Sequence, residues 1–124
     1  MSALLRHVSG AVSTLVVSFD VIASTLPRIE VYGTEGSLGV PDPNTFDGDV
    51  TLARRGVPFE VVEPRAGYRD AGRGYGLADM ARAIVDGGPH RQSAELGLHV
   101  HEVMERILEA GQTRSVVAVS SRCE

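Results

Sequence analysis

The hydrophobic period of this chain changes once, near residue 73, and that change limits the folds open to it. Before it, apolar residues alternate. In "AVSTLVVSFDV", residues 11–21, Leu15, Val17, Phe19 and Val21 fall on one side and Val12, Thr14, Val16, Ser18 and Asp20 on the other. That is the period of a strand with one fully apolar and one mixed face. Ile29 and Val31 alternate with Arg28, Glu30 and Tyr32, and after "GTEG" Leu38 and Val40 resume the pattern. A second and third strand joined by a short turn follow, with Gly33 and Gly36 expected at positive φ. Pro41 and Pro43 stop the third strand ahead of the polar loop "PDPNTFDGD". "DVTLAR" and "VPFEVVE" flank Arg55 and Gly56 as a second hairpin.

Beyond residue 73 the spacing becomes helical. Leu77, Met80, Ala81, Ile84 and Val85 recur on one face, and "DGGP" at 86–89 supplies C-cap glycines with a proline beyond. A longer helix follows, capped by Ser93, with Glu95 in its first turn and Leu96, Val100, Val103, Ile107 and Leu108 as its apolar stripe. Gly111 is expected to end it, and "SVVAVS" at 115–120 reads as a last strand. Strands first, helices later and hairpin-length connections predict an α+β fold: a mostly antiparallel sheet with two helices packed on one face, as a single domain over residues 1–124. The opposite sheet face is left open. Val12, Thr14, Val16 and Ser18 on the first strand are the candidate residues of an oligomer face, because two valines among polar neighbours are poorly suited to water. A homo-oligomer through that face is the expected partner.

Composition removes several function classes. The 124 residues suffice for one core, and 43 % apolar with 23 % charged residues is the composition of a folded chain. A net charge of −4, in mixed signs along the chain, provides no basic stripe for duplex nucleic acid. Three Tyr, three Phe and no Trp leave few platforms for single strands. All 12 basic residues are arginine, so Schiff-base chemistry and a Walker lysine are closed to this chain. Cys123 is the lone cysteine, which forbids an internal disulfide or a cysteine metal cluster and fits a reducing compartment. No stretch reaches the roughly 18 apolar residues of a membrane span, so the chain reads as soluble and cytoplasmic.

Two stretches resemble sites. "GRGYGL" at 72–77 is glycine-rich and opens a helix, but a dinucleotide loop needs a strand immediately before it and a glycine where Leu77 stands, and "PRAGYRDA" is no strand. His99 and His101 are two apart on a helix, whereas a helical metal pair needs three or four, and His90 lies in a different segment. Neither stretch is expected to bind. His101 with Glu105 and Glu102 with Arg106 read as helix-surface pairs. Ser, His and Asp are scattered with no triad spacing, and no nucleophile elbow, HExxH or P-loop is present.

"LPRIEVYGTEGSLGVPDPNTFDGDV", "GRGYGLADMARAI" and "GGPHRQSAELGLHVHEVMERILEAGQT", in that order, together resemble the C-terminal domain of the glucose-fructose oxidoreductase, inositol dehydrogenase and MocA family of NAD(P)-dependent oxidoreductases. The resemblance covers almost the whole chain. It implies the last part of the substrate and oligomerisation domain of a two-domain enzyme, with an N-terminal Rossmann domain absent here that binds NAD or NADP in the full-length relatives. That family's GxGxxG loop, the lysine of its Glu-Lys-Pro motif and its helical D-x-x-x-H pair have no counterpart in this chain. Asp86 and His90 show the last spacing, but Gly87, Gly88 and Pro89 between them deny a common helical face. No catalytic, cofactor-binding or metal residue is therefore expected here. The implied function is that of a fragment of a dehydrogenase acting on a sugar- or polyol-like alcohol, not competent alone; the alternative is a dimerising or ligand-binding module without activity.

Overall fold

The computed structural model describes residues 1–63 and 72–123. Its elements are β1 (Ser2–Arg6), β2 (Val12–Val16), β3 (Ile29–Tyr32), β4 (Gly36–Val40), β5 (Val50–Arg54), β6 (Val57–Val62), α1 (Tyr75–Asp86) and α2 (Ala94–Thr113). Two helices and six antiparallel strands make the fold α+β, the class that the change of period requires. The chain divides into two compact units, one of Met1–Ala23 with Pro89–Glu124 and the other of Ser24–Gly88.

The first unit holds the two-stranded sheet β1-β2 and helix α2. Strand β1 escapes a periodicity reading because Leu4 and Leu5 are adjacent and break the alternation. It exists because the chain turns at residues 7–11, where the His7 amide donates to the Ala11 carbonyl at 2.9 Å and the Gly10 amide to the His7 carbonyl at 2.9 Å. Ser2 then pairs with Val16, Leu4 with Thr14 and Arg6 with Val12. Strand β2 stops at Val16, short of the expected run to residue 21. Past it, the Ser18 hydroxyl oxygen accepts from the Asp20 amide at 3.2 Å and the Ser24 hydroxyl oxygen from the Leu26 amide at 3.1 Å. Such local bonds offer the backbone an alternative to the ladder. This interruption is why two sheets are found where the period-two pattern suggested one.

The second unit contains the meander β3-β4-β5-β6. Ile29 pairs with Val40 and Val31 with Leu38, the hairpin that the alternation requires, closed by the Gly33 amide on the Gly36 carbonyl at 2.8 Å. The expectation of positive φ at Gly33 and Gly36 is not met: the described glycines that adopt it are Gly10, Gly48, Gly56, Gly74 and Gly87. Gly36 is needed for a different reason. A Cβ there would run into the Ala53 carbonyl oxygen of β5, and one at Gly39 would lie 2.5 Å from Thr51 Oγ1. The closeness of β5, not turn geometry, excludes a side chain at these two positions of β4. In the loop after β4, Asp42 Oδ1 accepts from the Asn44 amide at 2.9 Å, and its Oδ2 faces Arg28 Nε at 3.4 Å.

Helix α1 ends where "DGGP" requires, with Gly87 at φ 70° and the Gly88 amide on the Ala83 carbonyl at 3.0 Å. Its stripe is uncovered: Ala83 is buried, while Leu77, Ile84 and Val85 are exposed. Helix α2 is capped by Ser93, whose hydroxyl oxygen accepts from the Leu96 amide at 3.1 Å. Glu95 in that first turn is held below the ordinary carboxylate range by its backbone amide and by the Ser93 hydroxyl. Two expectations for its far end are corrected. Gly111 does not terminate α2, which runs to Thr113 and ends on Arg114 at φ 54°; the Thr113 hydroxyl donates back to the Glu109 carbonyl at 2.8 Å and satisfies one of the last turn's free acceptors. The expected strand at residues 115–120 is not found; at its end the Ser120 amide donates to Glu102 of α2 at 3.0 Å.

Candidate functional site

Of the four residues expected to form an association face, Val12, Thr14 and Val16 lie on β2, whereas Ser18 lies past its end. The ladder phase places them further. Met1 and Val17 exchange hydrogen bonds at both ends, with the Met1 ammonium on the Val17 carbonyl at 2.8 Å and the Val17 amide on the Met1 carbonyl at 2.9 Å. The antiparallel alternation then directs the backbone groups of Ser13, Leu15 and Val17 toward β1, and those of Val12, Thr14 and Val16 toward the free edge. The side chains divide the same way. Leu15 and Val17, 36 % and 37 % exposed, share a face with the half-buried Ala3 and Leu5. On the opposite face Val12, Val16 and Leu4 are 57 %, 70 % and 72 % exposed. The side that alternation marks as fully apolar is thus the better covered one, and the mixed side carries the open valines.

A second constellation joins α2 to the segment after it. Glu102 Oε1 accepts from the Ser120 amide at 3.0 Å and the Ser120 hydroxyl at 2.7 Å, and Oε2 from the Ser121 amide at 2.7 Å. Arg106 Nε lies 3.4 Å from Oε1 and its Nη1 2.7 Å from Glu109. The Ser121 hydroxyl, the amide and hydroxyl of Ser120 and the Ser121 amide together hold the Glu102 carboxyl well below the usual carboxylate range. One turn earlier, His99 Nδ1 is 2.9 Å from Ser121 Oγ and 3.1 Å from the Ser121 carbonyl oxygen.

Ser, His and Glu are thus brought together, but not as a nucleophilic triad. A lone pair on Nδ1 would face the carbonyl oxygen, so Nδ1 carries the proton and donates. A base for Ser121 Oγ has to accept there instead. The arrangement is a clasp that holds the segment along α2. Sequence spacing shows half of it: the pair Glu102 with Arg106 is found at 3.4 Å, as is His101 with Glu105 at 4.0 Å. The serine contacts span 18 to 22 residues and carry no local signal.

The remaining candidates stay apart. His99 faces Ser121 and His101 faces Glu105. His90 lies outside both helices, its Nδ1 shielded without a hydrogen-bond partner. Among the described residues no group of three or more His, Cys, Asp or Glu is placed to hold a metal. Helix α1 ends at Asp86, so Asp86 and His90 share no helical face. At the glycine-rich start of α1, Gly74 takes φ 103° and the Tyr75 amide is directed at the Gly72 carbonyl at 3.4 Å. A Cβ at Gly72, Gly74 or Gly76 would meet nothing within 4 Å, so these glycines are not forced by a close approach of backbone. The reading of 64–71 as no strand lies outside the described residues. No helix among the described residues is long and apolar enough to cross a membrane.

Comparison with protein-family models, curated proteins and solved structures gives no match for this chain.

Proposed function

We propose that this chain is the non-catalytic, sheet-forming part of an NAD(P)-dependent oxidoreductase that acts on a sugar- or polyol-like alcohol. Its role is to build a scaffold and an association surface, and it is not competent for hydride transfer alone. The observation that carries the reading is the order of three segments, "RIEVYGTEGSL", "GRGYGLADMARAI" and "SAELGLHVHEVMERI", which resembles the C-terminal domain of that enzyme family. The exposed Val12 and Val16 support an association role, since valines on an open strand face gain by being covered.

The residues present do not fit a dinucleotide. The pyrophosphate of NAD(P) sits on a glycine turn between a strand and a helix, while here Leu77 replaces the third glycine and the glycines of 72–76 abut no backbone. In the proposed enzyme the cofactor is held by a separate Rossmann domain. A titration of NADH or NADPH fluorescence with the purified chain tests this. The expected result is no saturable response at micromolar cofactor, and saturable binding overturns it. The ancestry has its own test in the reading frame upstream of Met1. A strand followed by GxGxxG and, later, a Glu-Lys-Pro is expected there, and a frame lacking both counts against the reading.

A second reading is a stand-alone dimerising or ligand-binding module without enzymatic activity. The open edge of β2 favours it, because association requires no cofactor domain.

A further inference from the structure

Among the described residues, four strands border the two sheets, and three of their edges are guarded. Strand β1 carries Arg6, β3 carries Glu30, and β6 carries Pro58 and Glu60. A charge or a proline on an edge strand discourages pairing with another chain. Strand β2 has neither: from Ala11 to Phe19 the sequence "AVSTLVVSF" contains no charged residue and no proline. Its outward backbone groups belong to Val12, Thr14 and Val16, as the ladder phase requires.

We propose that β2 pairs with β2 of a second copy of the chain, antiparallel about a two-fold axis at Thr14, and so joins the two hairpins into a four-stranded sheet. The register is self-complementary. Val12 meets the partner's Val16, Thr14 meets the partner's Thr14, and each Thr14 exchanges both of its backbone hydrogen bonds across the axis. A threonine pair flanked by valine pairs is a favourable cross-strand set. Leu4, the neighbour of Thr14 on β1, extends the row on both sides. Charge is compatible as well. Arg6 neighbours Val12, so the two Arg6 residues stand at opposite corners of the new sheet and no like charges face each other. A five-residue edge buries less than the roughly 800 Å² per partner of a standard interface. The dimer is therefore weak and concentration-dependent. It does not require the oxidoreductase reading, since the cofactor titration and the association test respond independently.

Cysteine scanning of the full chain in a Cys123→Ser background tests the pairing. Paired residues that exchange hydrogen bonds have Cα atoms about 5.5 Å apart, inside the range of about 4.4–6.8 Å that a disulfide spans. Thr14→Cys should therefore cross-link to itself under mild oxidation. Ser13→Cys should not, because the two copies of residue 13 are offset by two positions and lie about 8 Å apart. Cross-linking of Thr14→Cys at least roughly tenfold faster than of Ser13→Cys, with a light-scattering mass that rises toward twice the monomer, is the expected result. Equal rates at both positions, or a monomeric mass across the concentration series, overturn it. Val16→Lys gives a second reading should a cysteine variant fail to fold. It should hold the chain monomeric at concentrations where the unsubstituted chain dimerises, and an unchanged mass curve also overturns the proposal.

Discussion

Gly36 illustrates how a residue is recognised as special for one reason and required for another. Its place beside "TE" suggests a turn glycine, and the chain does turn there, yet Gly36 is not among the positive-φ residues. The constraint comes from Ala53, whose carbonyl oxygen occupies the space a Cβ would need. Gly36→Val is accordingly expected to cost about 2 kcal/mol through overpacking against β5, which for a chain of this size lowers Tm by about 8 °C. Thermal denaturation followed by circular dichroism checks it, and a wild-type-like melt would show that β4 and β5 do not approach so closely. Ser93 is the opposite case, a residue whose role is local and visible in the sequence. Its hydroxyl accepts from Leu96, so Ser93→Ala should cost about 1 kcal/mol, read as a shift in urea midpoint at unchanged slope.

Helix α2 and the segment after it show what element-level patterns capture and miss. A stripe of Leu96, Val100, Val103, Ile107 and Leu108 predicts the helix correctly, but Val100 and Leu108 are exposed, and the covered side includes His99, Glu102 and Arg106. His99 and Glu102 on that side bind the backbone of 120–121, and Arg106 pairs with Glu102. Glu102 titrates below its ordinary value of about 4.3. The clasp is therefore complete above that value and is lost only as pH falls through the depressed folded one. The Ser120 and Ser121 amides should remain protected from hydrogen exchange as pH falls through the ordinary carboxylate value of about 4.3. In Glu102→Gln the protection should be lost even at neutral pH, because an amide nitrogen replaces one carboxylate oxygen and faces a donor. Exchange measured by NMR at these two amides decides it, and unchanged protection in the variant would mean that His99 alone holds the segment.

Across the chain, many of the large apolar side chains among the described residues are exposed. Val8, Phe19, Ile22 and Val116 are fully exposed, and Ala83 is the buried hydrophobic residue among those described. Surface of this kind is stabilised by association. The mass of the purified chain should thus depend on concentration, whereas its NADH titration should be flat. A defined dimer in light scattering supports an interface, while polydisperse aggregate or a clean monomer counts against one. A dimer with no cofactor binding is the joint outcome that fits a scaffold role.

Alternation, turn residues and caps were enough to place the two hairpins of the second unit, both helices and the α+β class, because each depends on contacts between residues near in sequence. Three features were settled only in three dimensions. The added strand β1 exists through pairing with β2, Gly36 is required by a neighbouring strand, and at the end of the expected last strand the Ser120 and Ser121 amides go to Glu102 and the Ser121 carbonyl to His99. In each, the deciding contact is with another segment of the chain, 6 to 14 residues away in the β1 ladder and 17 to 22 in the other two, and such a contact leaves no period in the sequence. The association surface divides along the same line. The alternation marked Val12, Thr14 and Val16 as one face, but only the phase of the ladder with β1 showed that their backbone groups also point out along a free edge.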